Sequence, residues 1–447
     1  MNRLILLCCA SAIFTLFKFA TAADRAVAAK QWQNIQNIIK QDALANQIST
    51  GKAFDPGSGV KLTPFDGEAN HQFGFAVSLD GDRLAVGSSI KQGVYIFAYN
   101  GANWIQEQKI TVSDSSDSFG RAVSLDGERL LVGARTAEIN GNTAQGAAYV
   151  FEYNGTNWVE RQKLTASDGA QGDIFADSVA LDGDRLLIGA TGADINANYS
   201  NEGAAYVFEY NGTKWVETQK LSATDGRQGD EFGLAVALDG DRLMVGADLA
   251  DANGNGSRGA VYVFDYRGSI WTETQKLTAS DGAVYDMFGR SVALDGDCLL
   301  IGAAFAAIDG NRNQGAAYVF AHDGSNWVER QKLIASDGEE KDYFGASVAI
   351  DGDHLLVGAY GANINVTSYQ GAAYVFAHDG SNWVERQKFT ATDGAEKDYF
   401  GGSVALENGH LVIGAYGVDN NGNDNQGAVY VYQNTATGVI FNDSFEG

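Results

Sequence analysis

What constrains this chain most is a repeat. A Phe-Gly-like pair recurs at Phe73-Gly74, Phe119-Gly120, Phe175-Ala176, Phe232-Gly233, Phe288-Gly289, Phe344-Gly345 and Phe400-Gly401, at spacings of 46, 56, 57, 56, 56 and 56 residues. Seven copies at a near-constant period mean one supersecondary unit stacked on itself. In the fourth copy, Leu234 to Leu238 and Arg242 to Gly246 read as two strands. They are joined by Asp239-Gly240-Asp241, of the Asp/Gly type that supplies the positive φ a two-residue hairpin needs. Ala260 to Tyr266 is a third strand, β-branched and aromatic, and Trp271 to Leu277 a fourth. Four strands per unit, no helical stretch and only 2 prolines in the chain predict the blade of an all-β, seven-bladed β-propeller. A β-helix needs shorter coils, and a sandwich does not repeat seven times.

The ends of the array predict how the ring closes. The outer-strand signature, Trp followed by Gln-Lys and an apolar residue, starts at Trp104, Trp158, Trp215, Trp271, Trp327 and Trp383. The seventh unit stops after Gly427 to Tyr432 without it, whereas Val60-Lys61-Leu62-Thr63 lies before the first Phe-Gly. The N-terminal strand is therefore expected to complete the seventh blade, which removes the open edges that invite association. The propeller spans 60–433 on this reading. Segment 434–447 is a C-terminal tail, and 23–59 holds a short α-helix, with apolar Ala28, Trp32, Ile35 and Ile39 on one face, and a linker.

Residues 1–22 read as a signal peptide, with Arg3, an apolar run from Leu4 to Phe17 and an Ala20-Thr21-Ala22 cleavage site. The apolar run is short of the ~20 residues of a membrane span, so no transmembrane segment is expected after signal removal. The expected location is secreted, periplasmic or extracellular, in a bacterial context. The full chain has net charge −25; removing the signal, which carries Arg3 and Lys18 and no acid, gives −27. Such a surface repels phosphate backbones and excludes nucleic acid as a partner class. Cys298 is the only cysteine beyond the signal, so no disulfide forms within the chain and stability rests on an apolar core, in a monomer.

With Phe-Gly followed by Val132-Gly133-Ala134 or Ile188-Gly189-Ala190, the repeats resemble the FG-GAP repeat of integrin α-subunit propellers. They are closer still to bacterial secreted FG-GAP proteins, with Gly-Ala-Ala-Tyr-Val-Phe and Trp-x-x-x-Gln-Lys-Leu. The resemblance covers about residues 60 to 433 and implies a propeller that binds a protein partner on its loop face. Two departures stand out. The proline of Gly-Ala-Pro is replaced by Arg135, Thr191, Asp248, Ala304, Tyr360 and Tyr416. The calcium loop between the first two strands has shrunk to Asp-Gly-Asp, or Glu407-Asn408-Gly409, too few oxygens for calcium.

Chain connectivity puts the loops between second and third strands, and those between blades, on one face of the disc. The longest polar loops fall there, and loops on a rigid scaffold carry binding. Three runs have the alternating oxygens of a calcium loop: Asp251, Asn253 and Asn255; Asp309, Asn311 and Asn313; Asp419, Asn421 and Asn423. No acidic residue closes them, and the same residues favour turns locally. Calcium is thus the candidate ion, and no cofactor is required. The five histidines fall on repeat positions (His322 with His378, His354 with His410) or in an inter-blade loop (His71), with no catalytic partner singled out. The six repeat tryptophans fit packing between blades, or sugar platforms in a lectin. The expectation is a secreted or cell-surface, non-catalytic binding or adhesion module. A glycan-binding propeller is the alternative, and a hydrolase with a channel-lining site the third reading.

Overall fold

The computed structural model describes residues 54, 59–90, 93–112, 118–195, 200–250 and 256–433. The signal segment, the expected N-terminal helix and the C-terminal tail lie outside them. Within the described residues the chain forms seven antiparallel sheets of four strands each, as the repeat predicts. Blade 3 is typical: Phe175–Asp182, Arg185–Ala190, Ala204–Tyr210 and Trp215–Leu221, from the channel outwards. The innermost strands of neighbouring blades touch all the way round, blade 7 against blade 1 included.

Closure follows the expected route. Val60–Leu62 pairs antiparallel with Ala428–Gln433, placing Lys61 opposite Tyr430 as the outer strand of blade 7. The seventh tryptophan is replaced in function by Phe54. Its ring is buried and meets His354 of blade 6 edge-on at 6.0 Å and Phe389 at 6.4 Å.

Each blade is buried on both faces, so the third strand is apolar throughout, and its two-residue period sorts side chains between two neighbours. Ala204, Tyr206 and Phe208 pack towards blade 2, whereas Ala205 and Val207 pack towards blade 4. A face of large rings meets a face of small side chains at this interface and its counterparts, which lets the blades nest. The repeat glycines exist for the same reason. A Cβ on Gly189 would stand 1.9 Å from the carbonyl oxygen of Gly233 in the next blade, and Gly233 itself has φ +99°. The Gly of Val/Ile-Gly-Ala and the Gly of Phe-Gly thus meet across six of the seven blade boundaries, and at the seventh Gly133 meets Ala176.

Polar contacts lock the outer and lower edges. The Gln162 amide accepts from the Trp215 backbone N–H at 2.9 Å and donates to its carbonyl at 2.9 Å. Gln108, Gln219, Gln275 and Gln331 grip Trp158, Trp271, Trp327 and Trp383 in the same way. At the lower hairpins Asp80 accepts the Gly127 N–H at 2.6 Å, and five more aspartates repeat the contact blade by blade. Glu407 closes that circle on the Gly81 N–H at 3.1 Å. The Asp-Gly-Asp carboxylates are therefore ring fasteners.

Candidate functional site

On the long-loop face the blades share a second fastener. The third-strand tyrosine hydroxyl donates to an inter-blade aspartate at 2.7–2.9 Å in six blades, as in Tyr206 to Asp168. A lysine holds the other carboxylate oxygen at 2.6–2.7 Å, as Lys220 does. Burial alone would raise these carboxyls, but the lysine and tyrosine hydrogen bonds outweigh it and hold Asp66, Asp168, Asp225, Asp281, Asp337 and Asp393 below the usual range. Five residues on, a buried aspartate caps the loop; Asp342 accepts the Glu339 N–H at 2.8 Å. Burial pushes Asp342 and Asp398 up to about 6. In blade 1 His71 replaces this aspartate and lies 2.8 Å from the Tyr95 hydroxyl.

The two calcium-like runs within the described residues form tight turns and are not structurally equivalent. Asp309-Gly310 and Asn421-Gly422 form the loop tips, both residues at positive φ, inside the bridges Ile308 to Asn311 and Asn420 to Asn423. Asp309 thus corresponds to Asn421, and the two Asp-x-Asn-x-Asn runs are offset by two residues. Asn311 donates its amide to Gln314 at 3.0 Å, Asn423 donates to the Gly67 carbonyl at 3.2 Å, and Asp419 accepts the Asn425 N–H at 2.7 Å. Asn313 also takes positive φ. Asp251, Asn253 and Asn255 lie outside the described residues. Among the described residues no group of three or more His, Cys, Asp or Glu side chains is placed to hold a metal.

The tryptophans take the packing role. Trp158, Trp215, Trp271 and Trp327 are buried, and arginines of the preceding blade lie over them, such as Arg185 at 5.3 Å from the Trp271 ring. The histidines are likewise structural. His322 meets Trp327 tilted at 5.3 Å and His378 meets Trp383 edge-on at 5.1 Å, His354 pairs with Asp353 at 2.7 Å, and His410 contacts Gln433. Burial pushes the Cys298 thiol up to about 11.

Where the repeat breaks is the upper mouth of the central channel. It is built from residues one position after Val/Ile-Gly-Ala, or two in the case of Phe305, and from residues on either side of Phe-Gly. Blades 5 to 7 and blade 1 supply aromatic rings. Phe305 meets Tyr343 at 5.3 Å, and Tyr343 stacks on Tyr360 at 5.0 Å and 5°. Tyr360 meets Tyr399 at 6.2 Å, Tyr399 stacks on Tyr416 at 5.0 Å and 16°, and Phe75 follows at 5.4 Å. Glycines make room: a Cβ on Gly361, Gly402 or Gly417 would lie 2.6–2.8 Å from one of these rings.

The rest of the rim is charged. Arg135 donates to Asp177 at 2.9 Å, Thr191 donates to the same carboxylate at 3.1 Å, and Arg290 donates to Asp248 at 3.0 Å. Asp248 is 1% exposed, and burial raises its carboxyl against the opposing pull of Arg290. Burial, then the Asp248 carboxylate, raises Glu231. Arg121 is held below the usual arginine range by burial first and then by the charge of Arg135; the Asp177 carboxylate pulls the other way, and Arg290 of blade 5 lowers it further. On the same face a cavity of about 560 Å³ opens beside Asp225, Arg227, Gln228, Leu249 and Ser257.

The FG-GAP repeat signature matches residues 57–97, 104–151, 158–208, 215–264, 271–320, 327–376 and 383–432. The chain belongs to the FG-GAP repeat family. This FG-GAP propeller is also similar in fold to the β-propeller domain of Cps50 (Swd1) from Myceliophteria thermophila. The TM-score is 0.53 at 13% identity, covering 84% of this chain and 100% of that one. Among the described residues no helix is long and apolar enough to cross a membrane.

Mouth residues such as Phe75, Arg121 and Tyr399 escaped the sequence reading. One column of the rim was nevertheless in view there, as the residues that replace the proline of Gly-Ala-Pro. Aligning the seven units and asking which columns vary finds the rest.

Proposed function

We propose that this FG-GAP propeller is a secreted or cell-surface binding module without a catalytic role. It holds a protein partner, as in adhesion, at the channel mouth on the long-loop face. The observation that carries this reading is the broken symmetry of the mouth. Trp, Gln, Tyr, Asp and Lys recur from blade to blade as fasteners, whereas the mouth joins an aromatic crescent to a charged one. A frame that repeats for stability and varies at one concave place suits a single off-axis ligand. The signal-like N-terminus supports an exported location.

The burial of the tryptophans weighs against a lectin with one platform per blade. A single glycan on the tyrosine wall is the second reading, favoured by the unbroken run of half-buried rings from Phe305 to Phe75. For hydrolysis, Asp177 and Asp248 each already hold an arginine, leaving Glu231 as the rim carboxyl with no ion pair among the described residues, where an acid–base mechanism needs two.

The test is cross-linking capture of partners by the purified protein, alongside a glycan array, each with calcium and with EDTA, and each repeated with Tyr360→Ala and Tyr416→Ala. Loss of one partner in both variants is the expected result. Capture indifferent to both variants would move the site off the mouth. Sugar binding abolished by them would select the glycan reading, and loss in EDTA would place calcium on the loops.

A further inference from the structure

The mouth carries three arginines, and among the described residues two of them form ion pairs: Arg135 with Asp177 at 2.9 Å and Arg290 with Asp248 at 3.0 Å. Arg121 forms no ion pair among the described residues, and the carboxylate whose charge it feels, Asp177, is the one that Arg135 already binds. The Arg121 guanidinium lies over the Phe75 ring at 4.5 Å, and its one hydrogen bond among the described residues is a 3.4 Å contact to the Ser89 hydroxyl. A guanidinium offers five N–H donors in a planar fork, so most of this one is unused. Nearby, the Arg135 Nε is buried without an acceptor. A partly buried cation with spare donors, at the end of a continuous aromatic wall, is complementary to an anion attached to something apolar.

We propose that the mouth binds a peptide segment through one carboxylate seated on Arg121, with the neighbouring side chain packed on Tyr416 and Tyr399. This rests on the binding-module reading and names its ligand. A single carboxylate fits better than a phosphate or a polyanion, because Asp177, Glu231 and Asp248 share the rim and the chain carries net charge −25. A peptide fits better than a uronate sugar. Tyr343 and Tyr360 cover one another's faces, as do Tyr399 and Tyr416, so the rings turn edges and hydroxyls, not open platforms, to the mouth. The carboxylate comes from an Asp or Glu side chain or from a chain end, since both present the same two oxygens.

The experiment is a random-peptide array read with the intact labelled protein. Peptides are printed in two formats, with a free and with an amidated C-terminus, and uronate-containing oligosaccharides share the slide. Wild type is expected to select peptides in which an acidic group adjoins an aromatic or aliphatic residue. Replacing the acid by its amide, or Arg121 by Ala, should each weaken binding about tenfold or more, with Arg121→Lys intermediate because it keeps charge but loses the fork. Selection confined to free C-termini identifies the chain end as the source; selection in both formats identifies the side chain. Unchanged binding by Arg121→Ala, or selected peptides that carry no acid, overturns the carboxylate proposal while leaving a binding mouth in place. Binding to uronates without peptides overturns the peptide assignment. Silence across the slide, from a protein whose melting temperature shows it folded, overturns the proposal, and it overturns the mouth as a binding site only if partner capture fails too.

Discussion

Residue by residue, the fold is most exacting where two blades meet at Phe-Gly. The glycine there takes φ between +88° and +99° in six blades, and in blade 3 the position is Ala176 at φ +69°. An L-residue with a Cβ costs about 1–2 kcal/mol in that left-handed region. Ala176→Gly is therefore expected to stabilise the protein by about 1 kcal/mol, part of the gain being lost to the greater freedom of glycine in the unfolded chain. Urea denaturation reads it, and a destabilised variant would mean that the alanine methyl packs well enough to offset its strain. Ala176 is wholly buried, so that balance is the quantity measured.

At the scale of the strand and blade, the outer strand is held less by its own sheet than by the next interface. Trp215 is buried, meets Tyr210 at 5.4 Å, lies beneath Arg129 of the preceding blade and receives both bonds of Gln162. Truncating such a residue removes a large apolar surface and leaves a cavity, so Trp215→Ala should cost about 3–5 kcal/mol. Trp383, half-buried in the equivalent place, should cost less when changed in the same way. Equal losses measured by denaturation would show that the glutamine contacts, not the rings, hold the interface. Hairpin chemistry varies with similar logic. Six inner hairpins turn on a glycine with positive φ at the first central position, whereas blade 7 uses Asn408-Gly409 with both φ positive. These are the φ patterns of the two tight hairpin turns that suit twisted strands.

For the molecule as a whole, two sets of carboxyls set the pH response with opposite signs. Asp342 and Asp398, at about 6 in the folded state against about 4 unfolded, bind protons more tightly when folded. Between those values the unfolded chain has already released them, so stability falls as pH rises from about 4 to 6. Glu407, pushed up to about 7 by burial and then by the Asp80 carboxylate, extends the decline. The six lysine-bound aspartates lie below their unfolded value, so their contribution is present above about pH 4 and lost as pH falls below it. The melting temperature is thus expected to peak in mildly acidic buffer, near pH 4–5. Asp342→Asn, which can still accept the Glu339 N–H, should flatten the fall towards pH 7. A profile rising from pH 4 to 7 would contradict the raised values of Asp342, Asp398 and Glu407.

What the sequence determined by itself was the ring. A strict period, local hairpin signals and a displaced outer-strand motif are properties of neighbouring residues, and they fixed the blade count, strand order and closure, because each blade is built largely from contiguous chain. Phe54 was not legible, since nothing local marks a linker phenylalanine as the replacement for a missing tryptophan. The site was legible only in part. Phe75, Arg121, Asp248, Tyr360 and Tyr416 are far apart in sequence, and the missing proline showed that one of their columns varies without showing where it points. Only ring closure converts a column of the repeat into a circle around an axis. That geometry brings a guanidinium from blade 2 to the end of an aromatic wall built by blades 5, 6, 7 and 1. The same geometry carries the identical spacings at Asp309 and Asp419 to different points of their loops, because turn register, not residue spacing, decides which oxygens converge.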